Sequence, residues 1–291
     1  MEGRLTLFVK RGGVGGLPSL DGECLAALLL AGMHGLSVTC LPCEDGALPH
    51  LPVLRCDAAD RFFPCWCLAE GLAEAASSRP PDARLSPEQQ RRVFELSSLA
   101  RSVLGTGQNF FWWADEKNAA VAASNEWGQL PWIFWANAMQ ERKAAFSFQE
   151  DNNAAFSALL RLCDCLEAQL GEHSFLMGEE ACSADAVTAG NLAAIIFASS
   201  APNRHWAQSI ATLHPRIVRY TANVLSRFGG INESDLSFPP PRTLDSAAMQ
   251  AGDKLGEKKR MHTVAMVANT VVGGAVTIGF LLILLQAYKN K

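Results

Sequence analysis

Charged side chains are absent from one stretch of the chain, between Met261 and Tyr288. About 20 apolar residues, each rising 1.5 Å, cross the roughly 30 Å hydrocarbon core of a bilayer. Residues 263–287 are therefore long enough for one transmembrane helix. Lysine and arginine flank the stretch on both sides, at 258–260 and at 289 and 291, as is typical of membrane-spanning helices.

This pattern predicts a C-terminal tail anchor over residues 261–288, preceded by a polar linker over 242–260. Ala275 and Gly279 have the small-residue spacing that permits close helix packing within a membrane. Nothing near the N-terminus resembles a signal peptide, because the apolar run Leu5–Val9 is far too short. All targeting information is expected at the C-terminus.

Basic residues are scarce outside the tail. Residues 254–291 hold six Lys or Arg and one Glu, a net charge of +5, whereas the remainder holds nineteen basic and twenty-eight acidic residues, a net charge of −9. An acidic body argues against nucleic acid as a partner, because phosphate binding needs a basic face. The basic clusters around the apolar run fit anionic lipid headgroups at the two membrane interfaces.

Motifs for phosphate or metal binding are also missing. The glycines at 12–16 form neither Gly-x-Gly-x-x-Gly nor a Walker loop, and the six histidines include no His-x3-His pair. Nine cysteines without a signal peptide indicate reduced thiols. Cys40 and Cys43 have the spacing of a redox pair or half a zinc site, but we expect buried or incidental thiols, no metal and no cofactor.

Strands come first along the chain, and only helices follow. Alternating short strands and helices are predicted over residues 1–80. They include a buried strand at Leu5–Val9, a helix at Glu23–Met33 with Asp21 as N-cap, and a helix around 64–76. Residues 85–241 contain helical apolar stripes only, the first opening with Ser86 as N-cap and Pro87 as the first helical residue. The fold class is therefore an α/β N-terminal lobe plus an all-α C-terminal lobe, with one C-terminal transmembrane helix.

This order resembles the glutathione transferase architecture, in which a thioredoxin-like lobe precedes a helical lobe. Pro52 lies where that family has a cis-proline opening a strand. Ser183-Ala184-Asp185-Ala186 resembles the family's helix-opening box, although it is compatible with any helix start. If Asp185 is the third helical residue, the N-cap falls on Cys182 rather than on Ser or Thr.

Within that superfamily the chain resembles metaxin, a subunit of the sorting and assembly machinery of the mitochondrial outer membrane. The resemblance is carried by four motifs in order along the chain: Leu7–Val9 followed by Gly12–Asp21 and Cys24–Ala26; Ala114–Asn118 with Trp127 and Leu130-Pro131; Phe175–Gly178 with Ser183–Ala186; and Leu213–Tyr220. It implies a non-enzymatic adaptor that assists import and assembly of β-barrel proteins. The implied partners are the outer-membrane barrel insertase, a second metaxin-like subunit and outer-membrane lipids, with the body facing the cytosol.

A glutathione transferase activates the glutathione thiol with a hydroxyl or thiol after the first strand and holds the γ-glutamyl group with an acidic-Ser pair. Here Ser19 is a candidate hydroxyl, and it serves equally as a turn residue. The acidic-Ser position is predicted near Arg61–Pro64, where aromatic residues and proline stand instead. We therefore expect no catalytic and no cofactor-binding residues. The alternatives are a tail-anchored protein of the ganglioside-induced differentiation type, acting in mitochondrial dynamics, and a membrane-bound glutathione transferase.

Five of the seven tryptophans fall between residues 110 and 135. The segment is interpreted either as core of the helical lobe or as an apolar surface for a partner, since Trp is typical of both. The residues of the candidate partner surface are Phe111, Trp112, Trp113, Trp132 and Trp135.

Overall fold

A small sheet with its helices precedes a bundle of helices in the computed structural model, which describes residues 4–11, 16–43, 51–57, 60–76, 80–127, 132–146 and 149–239. The N-terminal lobe contains β1 (Leu5–Val9), α1 (Gly22–Met33), β2 (Val38–Pro42), β3 (Val53–Cys56), β4 (Arg61–Pro64) and α2 (Leu68–Ala75). The C-terminal lobe contains α3 (Pro87–Trp113), α4 (Glu116–Trp127), α5 (Trp132–Ala145), α6 (Gln149–Leu170), α7 (Ser183–Ile196), α8 (His205–Leu213) and α9 (Pro215–Phe228).

The sheet has the strand order β2-β1-β3-β4, in which β1 and β2 are parallel and the other pairs are antiparallel. Side chains alternate between the two faces of a strand. Leu5, Leu7 and Val9 therefore share one face with Leu54 and Phe63, and they pack there against α1 and α2. The predicted burial of the first strand is confirmed.

The predicted helix around 64–76 begins too early. Arg61–Pro64 pairs with β3 as a strand, and a 3₁₀ turn at Cys65–Cys67 separates it from α2. Phe63 is 4% exposed against the core, whereas Phe62 on the opposite face is 53% exposed. Strand β4 is not evident in the sequence, because two adjacent phenylalanines conceal the alternation between a buried and an exposed position.

Helix α1 joins the two lobes because one of its sides packs against the helical lobe and the other packs against the sheet. Leu25 and Leu29 belong to the core of the helical lobe, whereas Leu28 packs with the sheet. The approach to α7 is close: a Cβ at Gly190 would lie 2.5 Å from the backbone nitrogen of Ala26. Only glycine fits at such a distance, so any larger residue at Gly190 would push the lobes apart.

Helix α7 is the centre of the helical lobe, since every residue from Ala184 to Ile196 is buried. Its many alanines let the neighbouring helices approach closely. Helix α3 begins as predicted, with Ser86 and Gln89 forming a reciprocal capping box.

In the described parts of the chain, no helix is both long and apolar enough to cross a membrane. The predicted anchor at 261–288, with Ala275 and Gly279, lies outside those parts, as does the predicted linker from 242 to 260. The anchor therefore stays a prediction from sequence.

Candidate functional site

Ser19, the candidate activating hydroxyl, is fully buried between β1 and α1. Its Oγ donates a 2.8 Å hydrogen bond to the backbone carbonyl of Lys10 and accepts one of 3.1 Å from the backbone N–H of Asp21. A serine hydroxyl has only one proton to donate. In this conformation that proton is used within the protein, and the Ser19 hydroxyl fastens the turn before α1.

The start of α1 carries further polar groups, which also pair with each other. Asp21 is the N-cap as predicted, and its Oδ1 accepts from the backbone N–H of Cys24 at 3.0 Å. Its Oδ2 lies 2.7 Å from Nζ of Lys10. Burial, followed by the charge of Asp21, raises the pKa of the Cys24 thiol. A thiol in this state is not a nucleophile near neutral pH.

The helix that follows β4 also differs from a glutathione-binding one. The Leu51–Pro52 peptide bond before β3 is cis, as the resemblance implied. Arg61–Pro64, where the sequence placed the acidic-Ser position, is β4 itself, so the correct position is the turn Cys65–Cys67 and the start of α2. No acidic residue occurs there before Glu70. The acidic-Ser position therefore lies a few residues later than predicted, and the acidic-Ser pair is missing there as well.

The nine cysteines all lie in described parts of the chain, and no disulfide bond joins any of them. Burial raises the pKa of Cys40, the first cysteine of the Cys-x-x-Cys pair. Within the described residues, no group of three or more His, Cys, Asp or Glu side chains is arranged to hold a metal ion.

Asp185 organises the start of α7, where the sequence suggested a capping box. Its carboxylate accepts hydrogen bonds from the backbone N–H groups of Leu176 and Cys182, at 2.9 and 2.8 Å, and from the hydroxyl of Tyr220 at 2.8 Å. The N-cap is Cys182, as predicted from the spacing, and its thiol donates to the same carboxylate at 3.1 Å. Burial raises the pKa of Asp185, although the four hydrogen bonds oppose this effect.

A polar contact between the connection of the two lobes and helix α7 was not predicted. Oδ1 of Asp82, in the connection between α2 and α3, accepts from the backbone N–H of Ser183 at 2.8 Å. Oδ2 accepts from the hydroxyl of the same serine at 2.5 Å. The acidic residue thus satisfies a free N–H at the start of α7. Sequence could not indicate it, because the two residues are distant along the chain.

Three of the five candidate partner-surface residues are core. Phe111, Trp112 and Trp113 are 3%, 4% and 4% exposed and pack in the hydrophobic core of the helical lobe. The interpretation as core therefore holds for these three residues. Their assignment to a partner surface is wrong, because buried rings cannot contact another protein. The side chains of Trp132 and Trp135 lie outside the described part of the structure.

Residues at the start of α4 form a network of hydrogen bonds with the loop before α8. Oδ1 of Asp115 accepts from the backbone N–H groups of Lys117 and Asn118, each at 3.0 Å, which caps α4. Nδ2 of the buried Asn118 donates to the carbonyls of Phe111 and Asn203 at 3.0 and 2.8 Å. Nδ2 of Asn203 donates to Oδ2 of Asp115 at 2.8 Å. These residues join α3, α4 and the loop before α8, which is a structural role.

An open cavity of about 490 Å³ lies between β2, α1 and the segment after α9. Its ionisable lining residues are Cys40 and Asp235, and the others are Gly16, Leu17, Pro18, Leu28, Val38, Gly229, Gly230 and Ile231. Oδ2 of Asp235 accepts from Asn232 at 3.0 Å. Among the described lining residues, the ionisable groups are thus one carboxylate and one thiol, and burial raises the pKa of the Cys40 thiol.

Comparison with known proteins supports the glutathione-transferase-like fold. Residues 160–224 match the family model for the glutathione S-transferase C-terminal domain, from within α6 to within α9. No curated protein matches the chain. The sheet followed by a helical lobe, together with this match, defines a glutathione-transferase-like fold.

Solved structures with the same class of fold superpose on the chain. Glutathione transferase GSTFuA3 from Phanerochaete chrysosporium superposes with a TM-score of 0.57 at 17% identity, covering 78% of this chain and 98% of that chain. A glutathione S-transferase from Rhodospirillum rubrum F11 gives a TM-score of 0.55 at 14% identity, covering 82% and 96%. One from Ceriporiopsis subvermispora, in complex with glutathione, gives 0.55 at 10% identity, covering 81% and 99%. At these identities the likeness defines the fold alone.

Proposed function

We propose that the protein is a non-enzymatic adaptor built on a glutathione-transferase-like fold. The observation that carries the proposal is the buried Ser19 hydroxyl, whose proton is donated to the carbonyl of Lys10. The turn Cys65–Cys67 adds a second argument, because it lacks the acidic-Ser pair that would hold the γ-glutamyl group. A charged ligand end placed there would be left without its partners, which costs binding free energy.

The proposed site of action is the cytosolic face of the mitochondrial outer membrane. The four metaxin-like stretches and the uncharged C-terminal run support this location. As a subunit of the sorting and assembly machinery, the protein would help the barrel insertase and a second metaxin-like subunit receive β-barrel precursors. Because Phe111, Trp112 and Trp113 are core residues, the contact surface lies elsewhere on the body.

Two other functions use the same fold. A protein of the ganglioside-induced differentiation type would share the anchor but act in mitochondrial dynamics, and a membrane-bound transferase would share the fold but turn over glutathione. Co-purification with the barrel insertase separates the adaptor from the first alternative. Retention on glutathione-agarose would favour the second.

Glutathione conjugation to a chlorodinitrobenzene acceptor tests the non-enzymatic part of the proposal. The full chain should show no turnover above the uncatalysed background, and Ser19→Ala should leave that rate unchanged. Ser98→Ala, an exposed serine on α3, is the matched control. Turnover that Ser19→Ala abolishes and Ser98→Ala retains would assign Ser19 a catalytic role and replace the adaptor with a transferase.

A further inference from the structure

Helix α9 carries three arginines along its solvent-facing side. Arg216, Arg219 and Arg227 lie within about 80° of one another around the helix axis and span about 16 Å along it, at 100° and 1.5 Å per residue. Asn223 lies between them, and α9 contains no acidic residue. Arg219, Asn223 and Arg227 are exposed and Arg216 is partly exposed. We call these three arginines the α9 stripe.

The α9 stripe differs from five other arginines on the body. Those five arginines form ion pairs with glutamates: Arg61 with Glu74, Arg84 with Glu180, Arg91 and Arg92 with Glu95, and Arg101 with Glu23. By contrast, Arg216 and Arg219 have no hydrogen-bonding or ion-pair partner among the described residues. Arg227 lies over the rings of Phe175 and Phe228, with its Cζ 5.3 and 5.5 Å from their centroids. Stacking orients this guanidinium while leaving its charge unneutralised.

We infer that the α9 stripe binds the anionic headgroups of a phospholipid bilayer and so orients the body on the membrane. Guanidinium groups match phosphate oxygens geometrically, and each cation near an anionic surface adds to the attraction. Outside the tail the chain has a net charge of −9, so an anionic surface repels most of the body. The local excess of positive charge on α9 therefore makes this side of the body the one that approaches an anionic membrane.

This inference rests on the proposed membrane attachment, because three arginines alone bind a bilayer weakly. Attachment through another segment would raise the local concentration of headgroups and make the contact effective. A protein segment rich in Asp and Glu would satisfy the same arginines. The membrane is preferred because the predicted anchor keeps the body beside headgroups at all times.

Arginine footprinting with phenylglyoxal and mass spectrometry tests the inference on the full chain. Vesicles of phosphatidylcholine alone are compared with vesicles containing about one-third phosphatidylserine. With phosphatidylserine, modification of the α9 stripe should slow about fivefold or more, and about 1 M salt should reverse the effect by screening. The exposed Arg91 on α3 should react equally in both vesicles.

The double variant Arg216→Glu/Arg219→Glu should leave Arg227 freely reactive on phosphatidylserine vesicles, while the matched variant Arg91→Glu/Arg92→Glu should keep it protected. Circular dichroism checks that both variants fold. Equal reactivity of the α9 stripe on both vesicles, with the chain attached, overturns the inference; so does protection by polyglutamate but not by vesicles. A chain that floats with neither vesicle contradicts the proposed anchor instead.

Discussion

The hydroxyl of Tyr220 in α9 donates a 2.8 Å hydrogen bond to Oδ1 of Asp185, in the first turn of α7. Both side chains are buried, and the same carboxylate also receives two backbone N–H groups. One acidic residue therefore caps α7, holds the turn at Leu176 and attaches α9. We therefore expect this carboxylate to stabilise the helical lobe by more than a surface ion pair, which is typically worth about 0–1 kcal/mol.

Asp185→Ala should destabilise the fold by about 2–4 kcal/mol, because two buried N–H groups and a phenol lose their acceptor. Tyr220→Phe should cost less, about 1–2 kcal/mol, since only one donor is removed. Urea unfolding followed by circular dichroism measures both. Cys182→Ser is the control, because serine is a favoured N-cap and should leave stability nearly unchanged. If Asp185→Ala matched that control, Asp185 would not organise the start of α7.

Trp112→Ala should cost about 3–5 kcal/mol or unfold the lobe, because the ring is 4% exposed in the core. Phe94→Ala on the same helix should change stability by less than about 0.5 kcal/mol, since Phe94 is 73% exposed. Thermal unfolding of both variants compares them directly. A Trp112→Ala protein as stable as the Phe94→Ala protein would return Trp112 to the candidate partner surface.

Asp115 should make stability depend on acid pH. Partial burial opposes its ionisation, but hydrogen bonds from Asn203 and from the backbone N–H groups of Asn118 and Lys117 outweigh burial and hold the pKa of Asp115 below its ordinary value of 3.8. A carboxylate of lowered pKa stabilises the fold above its unfolded-state pKa, and the contribution is lost as pH falls through the folded-state pKa.

Asp115→Asn should cost about 1 kcal/mol at neutral pH, because the amide oxygen can still cap α4 but the amide NH2 cannot accept the hydrogen bond from Nδ2 of Asn203. The difference from the natural protein should narrow as pH falls from about 5 to about 2.5. Urea titrations across this range measure it, with Asp60→Asn as the control because no comparable set of donors surrounds Asp60 among the described residues. A difference that stays constant with pH would show that the ionised form of Asp115 is not the stabilising one.

Deleting residues 261–291 should release the protein from membranes, because the uncharged run of spanning length is removed. Carbonate extraction of mitochondria expressing the full and shortened chains compares them. The full chain should stay in the pellet and the shortened chain should appear in the supernatant. Protease added to intact mitochondria should digest the body of the full chain. Persistent carbonate resistance of the shortened chain would place the attachment in another segment.

Much of the fold was predictable, because local signals decide most of its elements. Ser86 and Pro87 marked the start of α3, Asp21 that of α1, and the spacing to Asp185 put the N-cap of α7 on Cys182. Strand β4 was not predictable, because it is short and its pairing with β3 is a tertiary contact.

The candidate site was harder to predict, because the role of a side chain depends on its partners. The sequence leaves the role of Ser19 ambiguous, whereas the structure has its hydroxyl donating to the backbone carbonyl of Lys10. The tryptophans were equally ambiguous, since the same residue type serves cores and interfaces. The contact of Asp82 with Ser183 had no sequence signal, because the two residues are 101 positions apart along the chain.

Affinity purification of the full chain from mitochondria solubilised in mild detergent tests the adaptor proposal most directly. We predict that the barrel insertase and a second metaxin-like subunit co-purify with it in stoichiometric amounts. A chain without residues 261–291 controls for association that requires the membrane. A preparation free of the insertase, yet active in glutathione conjugation, would contradict the adaptor function and identify the protein as a transferase.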